Sequence, residues 1–464
     1  MTTEFMPAAN PTSGRKDGSA IGAALRIALL GLAVAGLAGC DTVGDMFSSD
    51  EKAVLPGTRL SVMELGANLE VDPAIADETV ELPQPYENED WPQPGGTPDN
   101  VMHHLAAPGP LKRIWSVNAG TGSSRAAQLV ASPVIAAGKI FVLDAEANVR
   151  AFDQTTGKKL WTADLVPDGE DGEEGRGGGV AFDGGRVFAV TGFGTAFALD
   201  ADSGAVIWTQ KVGEPFRAAP TANGGRVFAI TSDNQMICLA QETGDVLWRH
   251  RGIVESAGIL SSTSAAVAGA VAIAPYSSGE LVALRVENGN PVWSDSLTRT
   301  GNITSLGELN DIAGRPVIDR GRVFAVSHSG RMVSIDLRTG ERVWTRDIGG
   351  VQTPWVAGAF VFLVTTSQEV LAISRRDGRI RWITPLPRYE KPKDRTKPIE
   401  WSGPVLVSDR LVLVSSIGDA VSVSPYTGEI LGRIDLPDGA LIAPVVARET
   451  LYILTNDAEL VALK

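Results

Sequence analysis

Chemistry needs nucleophiles, metal ligands or general bases, and this 464-residue sequence offers few of them in useful patterns. Its two cysteines, Cys40 and Cys238, lie far apart and form neither a disulfide framework nor a multi-cysteine metal site. Of the four histidines, His103 and His104 are adjacent. Neighbouring side chains diverge on most backbones and no third ligand follows at a matching spacing, so this pair is not a metal site. There is no GxSxG nucleophile elbow, GxxxxGK[ST] phosphate loop, HExxH or CxxC. The glycines of GEEGRGGGV at 172–180 open no helix-forming segment, and the run reads as a flexible acidic loop between larger elements. The expectation is no catalytic residue, no metal and no cofactor.

One cysteine still has a chemistry to perform. Arg15, Lys16 and Arg26 precede the apolar run IALLGLAVAGLA at 27–38, which is too short to span a bilayer and ends in small residues, as a cleavable secretory signal does. The run closes on Leu37, Ala38, Gly39 and Cys40, which resembles the bacterial lipobox. Residues 1–39 then form a lipoprotein signal peptide, and Cys40 is the acylated, membrane-anchored first residue of the mature chain. Asp41 follows directly, a residue that favours inner-membrane retention in enteric bacteria. Residues 40–110 are acidic and Pro-rich without sustained periodicity and read as a tether. Within it, Tyr86 and Trp91 predict that part of 81–105 packs on the folded domain.

The body from 111 to 464 is a written repeat. Phe152, Leu199, Leu239, Leu284, Ile335, Ile373 and Val423 are each followed five positions later by a glycine. Four residues beyond those glycines stand Trp161, Trp208, Trp248, Trp293, Trp344 and Trp382, with Gly432 in the seventh copy. A period near 45 residues, alternating apolar positions and a Gly turn before a tryptophan strand match four-stranded propeller blades. Solenoid helices would show a 3.6-residue period, which is absent. An eighth copy, APVVARETLYILTNDAELVALK, holds three strands, and LKRIWSVNAG at 111–120 carries the missing pattern with Trp115 in register. The expected fold is therefore all-β, an eight-bladed β-propeller closed by an N-terminal strand, with the tryptophans packing between blades. Cys238 falls where other copies carry Ala or Ser and reads as an inert core residue.

Composition narrows the partners. With 55 acidic against 41 basic side chains the formal charge is −14, which leaves no electrostatic footprint for nucleic acid. An acidic surface suits a partner with a basic one.

Two family resemblances follow from these residues. The blades resemble the repeats of pyrroloquinoline quinone dehydrogenases, which carry a vicinal cysteine pair and a calcium site. Cys238 is the sole cysteine of the repeat region, so that enzyme reading is the alternative. A resemblance covering nearly the whole mature chain is to the BamB family of outer membrane protein assembly factors, of alphaproteobacterial type. It is carried by the lipobox, the acidic tether, RLSVMEL, WPQPGGTPDNVMHHLAAPGPLKRIW and the eight blades.

That resemblance implies a non-catalytic lipoprotein at the periplasmic face of the outer membrane, a monomer within a hetero-complex. Its partners would be a BamA-type barrel protein, other BAM subunits and unfolded outer membrane protein precursors. An inner-membrane-anchored binder or sensor is the third reading, which Asp41 allows. Binding through loops of one propeller face points to VESAGILSST at 254–263 and RTGNITSLGELNDIAG at 299–314. There Ile259 and Leu260 match the family's apolar character, Asp311 aligns with an acidic position beside Asn310, and Ala313 replaces a second acid. The family's arginine has no aligned counterpart, leaving Arg315, Arg299 or Arg251 to stand in for it.

Overall fold

Strands of three to seven residues with apolar runs, each ended by a tight turn, can bury themselves only by stacking sheet on sheet. In the computed structural model, which describes residues 69–464 except 256–257, 260–262 and 299–308, they do so as eight four-stranded antiparallel sheets. Blade one comprises Val134–Ala136, Lys139–Leu143, Asn148–Asp153 and Lys159–Asp164. Blades two to seven repeat this order, starting at Gly178, Thr221, Ala266, Val317, Trp355 and Trp401. Blade eight takes Val445–Ala447, Thr450–Leu454 and Glu459–Leu463 from the end of the chain and Arg113–Asn118 from its beginning. Trp115 sits opposite Ala462 in that pairing, so the closure read from the sequence holds. Inner strands are buried on both faces, as in Lys139–Leu143, whereas the outermost Lys159–Asp164 alternates buried and exposed.

The repeat's two signature residues meet across the seams. Gly244 turns at φ +78°, and a Cβ there would stand 2.7 Å from the Trp208 ring of the preceding blade. The position therefore needs glycine twice over, for its dihedral and for its space. The same ring-on-glycine contact joins Trp115 to Gly157, Trp161 to Gly204, Trp248 to Gly289, Trp293 to Gly340, Trp344 to Gly378 and Trp382 to Gly428. In six seams the indole N–H also donates to a backbone carbonyl, as Trp208 does to Gln241 at 2.8 Å and Trp161 to Ala201 at 3.1 Å. At the seam from blade eight to blade one, the Tyr452 hydroxyl instead donates to the Gln154 carbonyl at 3.4 Å. Gly432 has an equally simple cause. Blade eight has no turn between its third and fourth strands, because its fourth strand comes from the other end of the chain, so a tryptophan at 432 would have no glycine to cover.

The described part of the expected tether is a fixed layer. Between residues 86 and 107 it bonds to every blade in turn. Trp91 exchanges backbone hydrogen bonds with Ile135, Phe182 N–H donates to Pro92, and Ala222 N–H donates to the Gln93 side chain. Val267 and Ile318 donate to Pro98 and Asp99, the Trp355 indole to His103, and Ser408 to Leu105. Asn88 Nδ2 donates to Val446, which completes the circle. His104, within this layer, is buried and its ring is satisfied from either side of it, with Nδ1 2.7 Å from the Pro83 carbonyl and Nε2 accepting from Asp409 N–H. The glycine run at 172–180 is part loop and part strand: Gly172–Glu174 form a short 3-10 turn, and Gly178 begins the inner strand of blade two. A Cβ at Gly178 would lie 2.1 Å from the Val190 carbonyl, which explains the glycine there.

Candidate functional site

In an up-and-down blade the first and third turns share one end of the ring, and the second turns share the other with the connections between blades. The layer at 86–107 covers the first end. At the second end the connections enclose a cavity of about 790 Å³, with Leu129, Ile259, His328, Gln352, Trp401 and Ile442 in its wall. The described parts of both loops singled out from the sequence, 254–255 with 258–259 and 309–314, lie at this end.

Asp311 holds three of these connections together. It is fully buried, and Oδ1 accepts from Arg217, which the connection from blade two to blade three brings in, 5% exposed. Oδ2 accepts from Ile259 N–H at 2.7 Å, and the Asp311 carbonyl accepts from His328 N–H at 2.9 Å. A buried carboxylate is stable only when its oxygens are satisfied, and this arrangement does so with one guanidinium and one amide. The expectation of Asp311 as a surface contact is therefore corrected: it positions the loops from within. Arg217 is the arginine that faces it, a residue the sequence reading missed because it stands 94 positions away with no local signal.

The other expected residues divide. Ile259 is half-buried in the cavity wall, and Asn310 is half-buried beside Gly279. Arg315 is 5% exposed, so it too is no surface contact. Its Nη2 donates to Ser132 at 3.0 Å, and burial lowers its pKa to about 10. Arg251 is exposed and lies 3.6 Å from Asp233. Leu260 and Arg299 lie outside the described residues, as do Cys40 and the signal peptide.

The most exposed large apolar residues of this end among the described residues are Ile253 and Val254, 59% and 56% exposed, with Ile417 and Leu441 at 42% each. The backbone of the first pair is pinned although its side chains are free. Ile253 N–H donates to Glu280 Oε2 at 2.7 Å, and its carbonyl accepts from Asn234 Nδ2 at 2.6 Å. Just before them, His250 stacks on the fully buried Tyr276, whose hydroxyl lies 2.8 Å from His250 Nδ1. Burial raises the phenol's pKa and lowers that of the imidazole. Gly252 must be glycine, since a Cβ would meet the Tyr276 ring at 2.8 Å. The result is a pinned ledge carrying two exposed aliphatic side chains. Among the described residues no cluster of three or more His, Cys, Asp or Glu is arranged to hold a metal.

Residues 145–384 match the family model described as outer membrane protein assembly factor BamB. The curated protein of that name from Escherichia coli K12 is 33% identical over 271 residues, 58% of this chain and 69% of the relative. Among solved structures, BamB from Moraxella catarrhalis superposes with a TM-score of 0.64 at 19% identity, over 76% of this chain and 99% of that one. Quinohemoprotein alcohol dehydrogenase from Comamonas testosteroni reaches 0.63 at 15% identity, over 84% and 83%, a likeness of fold alone. With its eight-bladed ring and a family match spanning half its length, the chain belongs to the BamB family of outer membrane protein assembly factors.

Proposed function

We propose that the chain is a non-catalytic lipoprotein scaffold of the outer membrane β-barrel assembly machinery, anchored through Cys40 at the periplasmic face of the outer membrane. Its partner is the periplasmic part of a BamA-type barrel protein, within a complex that contains the other BAM subunits and receives unfolded barrel precursors. The observation that carries the reading, beside family membership, is the ledge at Ile253 and Val254. Exposed aliphatic side chains on a pinned backbone lose little entropy on docking and gain from the apolar area they bury. Ile259, Asn310 and the Asp311–Arg217 pair support that surface from behind.

The test is to measure binding of the purified propeller to the periplasmic domains of the barrel protein from the same organism. Ile253→Asp with Val254→Asp is expected to weaken binding about 10- to 100-fold, the loss of one or two anchors, with the melting temperature unchanged. Unaltered affinity removes the ledge from the interface.

A further inference from the structure

One residue at the entry to each inner strand recurs at an equivalent position, two residues before the strand in six blades and within the strand's bounds in blades two and seven. Around the eight blades these are Ser132, Gly178, Ala219, Ser264, Arg315, Thr353, Gly403 and Ala443, identified by the recurring Xaa-Pro before the strand and its counterparts SAA and GGV. Seven are small and one is arginine. Blades one and five stand opposite in a ring of eight, so Arg315 Nη2 on Ser132 means that this side chain crosses the axis.

The guanidinium there is 95% removed from solvent, and no carboxylate of the described residues lies within ion-pairing distance. Nε has no hydrogen-bond partner, and the buried Ser264 hydroxyl of the adjacent blade has none either. Asp311, four residues earlier, is committed to Arg217 and Ile259. An arginine cannot discharge itself by losing its proton at physiological pH, and an uncompensated buried charge is among the costliest features a fold can carry. The other buried arginine among the described residues, Arg217, follows the rule on Asp311, as does the part-buried Arg375 on Asp319.

We infer that the axis of the propeller binds a small monovalent inorganic anion of the halide class, held by the Arg315 guanidinium with the hydroxyls of the same ring. At the floor of this site Gly314 abuts the Gln352 carbonyl, where a Cβ would stand at 2.3 Å. The anion locks opposite blades together through their centre and does not depend on partner docking.

Bromide replaces chloride at such sites and scatters anomalously. Crystals of the mature chain soaked in sodium bromide are expected to show a bromide peak in contact with the Arg315 guanidinium. In solution, the melting temperature in sodium chloride or bromide should exceed that in sodium gluconate of equal ionic strength by about 2 °C near tenfold saturation, and the difference should vanish in Arg315→Gln. A map with only waters on the guanidinium, with Glu308 from outside the described residues on it, or with bromide at exposed sites only, overturns the inference. So does a halide shift that persists in Arg315→Gln. The crystallographic arm uses the wild-type chain, so the inference stays exposed to refutation even if that variant does not fold.

Discussion

Removing the Asp311 carboxylate should unsettle the docking end from inside. Both members of the Arg217–Asp311 pair are almost wholly buried, at 5% and 1% side-chain exposure, so solvent screening does not soften the loss. Deleting one partner of a buried pair costs about 3–5 kcal/mol because the other charge loses its buried counter-charge. The Ile259 amide loses its acceptor as well, and the two losses share one site, so about 4 kcal/mol is the working figure for Asp311→Ala. With an unfolding entropy of about 2.1 cal/mol/K per residue over roughly 350 residues, this lowers the melting temperature by about 5 °C. The double variant Arg217→Met, Asp311→Leu removes both charges and keeps the volume, and it should recover to within about 2 °C of wild type. Differential scanning calorimetry on the three proteins decides the matter. A single variant that melts with the wild type, or a double variant as unstable as the single, refutes the reading of Asp311 as a buried hub.

Three further outcomes follow from geometry already described. Gly244→Ala should cost more than Gly225→Ala although both turn at φ +78°, because only at 244 does the new methyl meet a tryptophan ring. Urea unfolding should separate the two by about 1–3 kcal/mol. Cys238 is fully buried, and desolvation pushes its thiol up to about 12, so a thiol reagent at pH 8 should label it only after unfolding. His250 has its pKa lowered by burial, so the unfolded chain binds the extra proton first and stability falls as pH drops from about 6.5 through the lower folded value. His250→Gln should flatten the stability profile just below about pH 6.5, above the range of the depressed carboxyls of Asp153, Asp200 and Asp336.

The ring was legible in the sequence because each blade is a local object. A glycine five residues after an apolar position and a tryptophan four residues later report one hairpin, and its recurrence reports the stack. Closure was legible for the same reason, since Trp115 carries the pattern that the last copy lacks. What escaped the sequence are relations between distant blades. Whether an aspartate in a loop faces water or the interior depends on what another connection brings to it, and Arg217 approaches Asp311 without any shared motif. Arg315 looked like a surface cation by type and is an axial residue by position. The layer at 86–107 has no periodicity because each residue satisfies a different blade rather than a neighbour in the chain. Ile253 fell one residue outside the loop that length alone singled out.

That layer also sets how the protein carries mechanical load. A pull applied ahead of residue 69 first meets the backbone bond from Asp72 to Ile380 and the Arg381 contact with the Glu78 carbonyl. Beyond them it must work past attachments distributed over the whole ring before it reaches Arg113–Asn118, the strand whose release would open the circle. Force entering along the N-terminal chain is thus shared among eight sheets, and the vulnerable closure is the last joint to feel it.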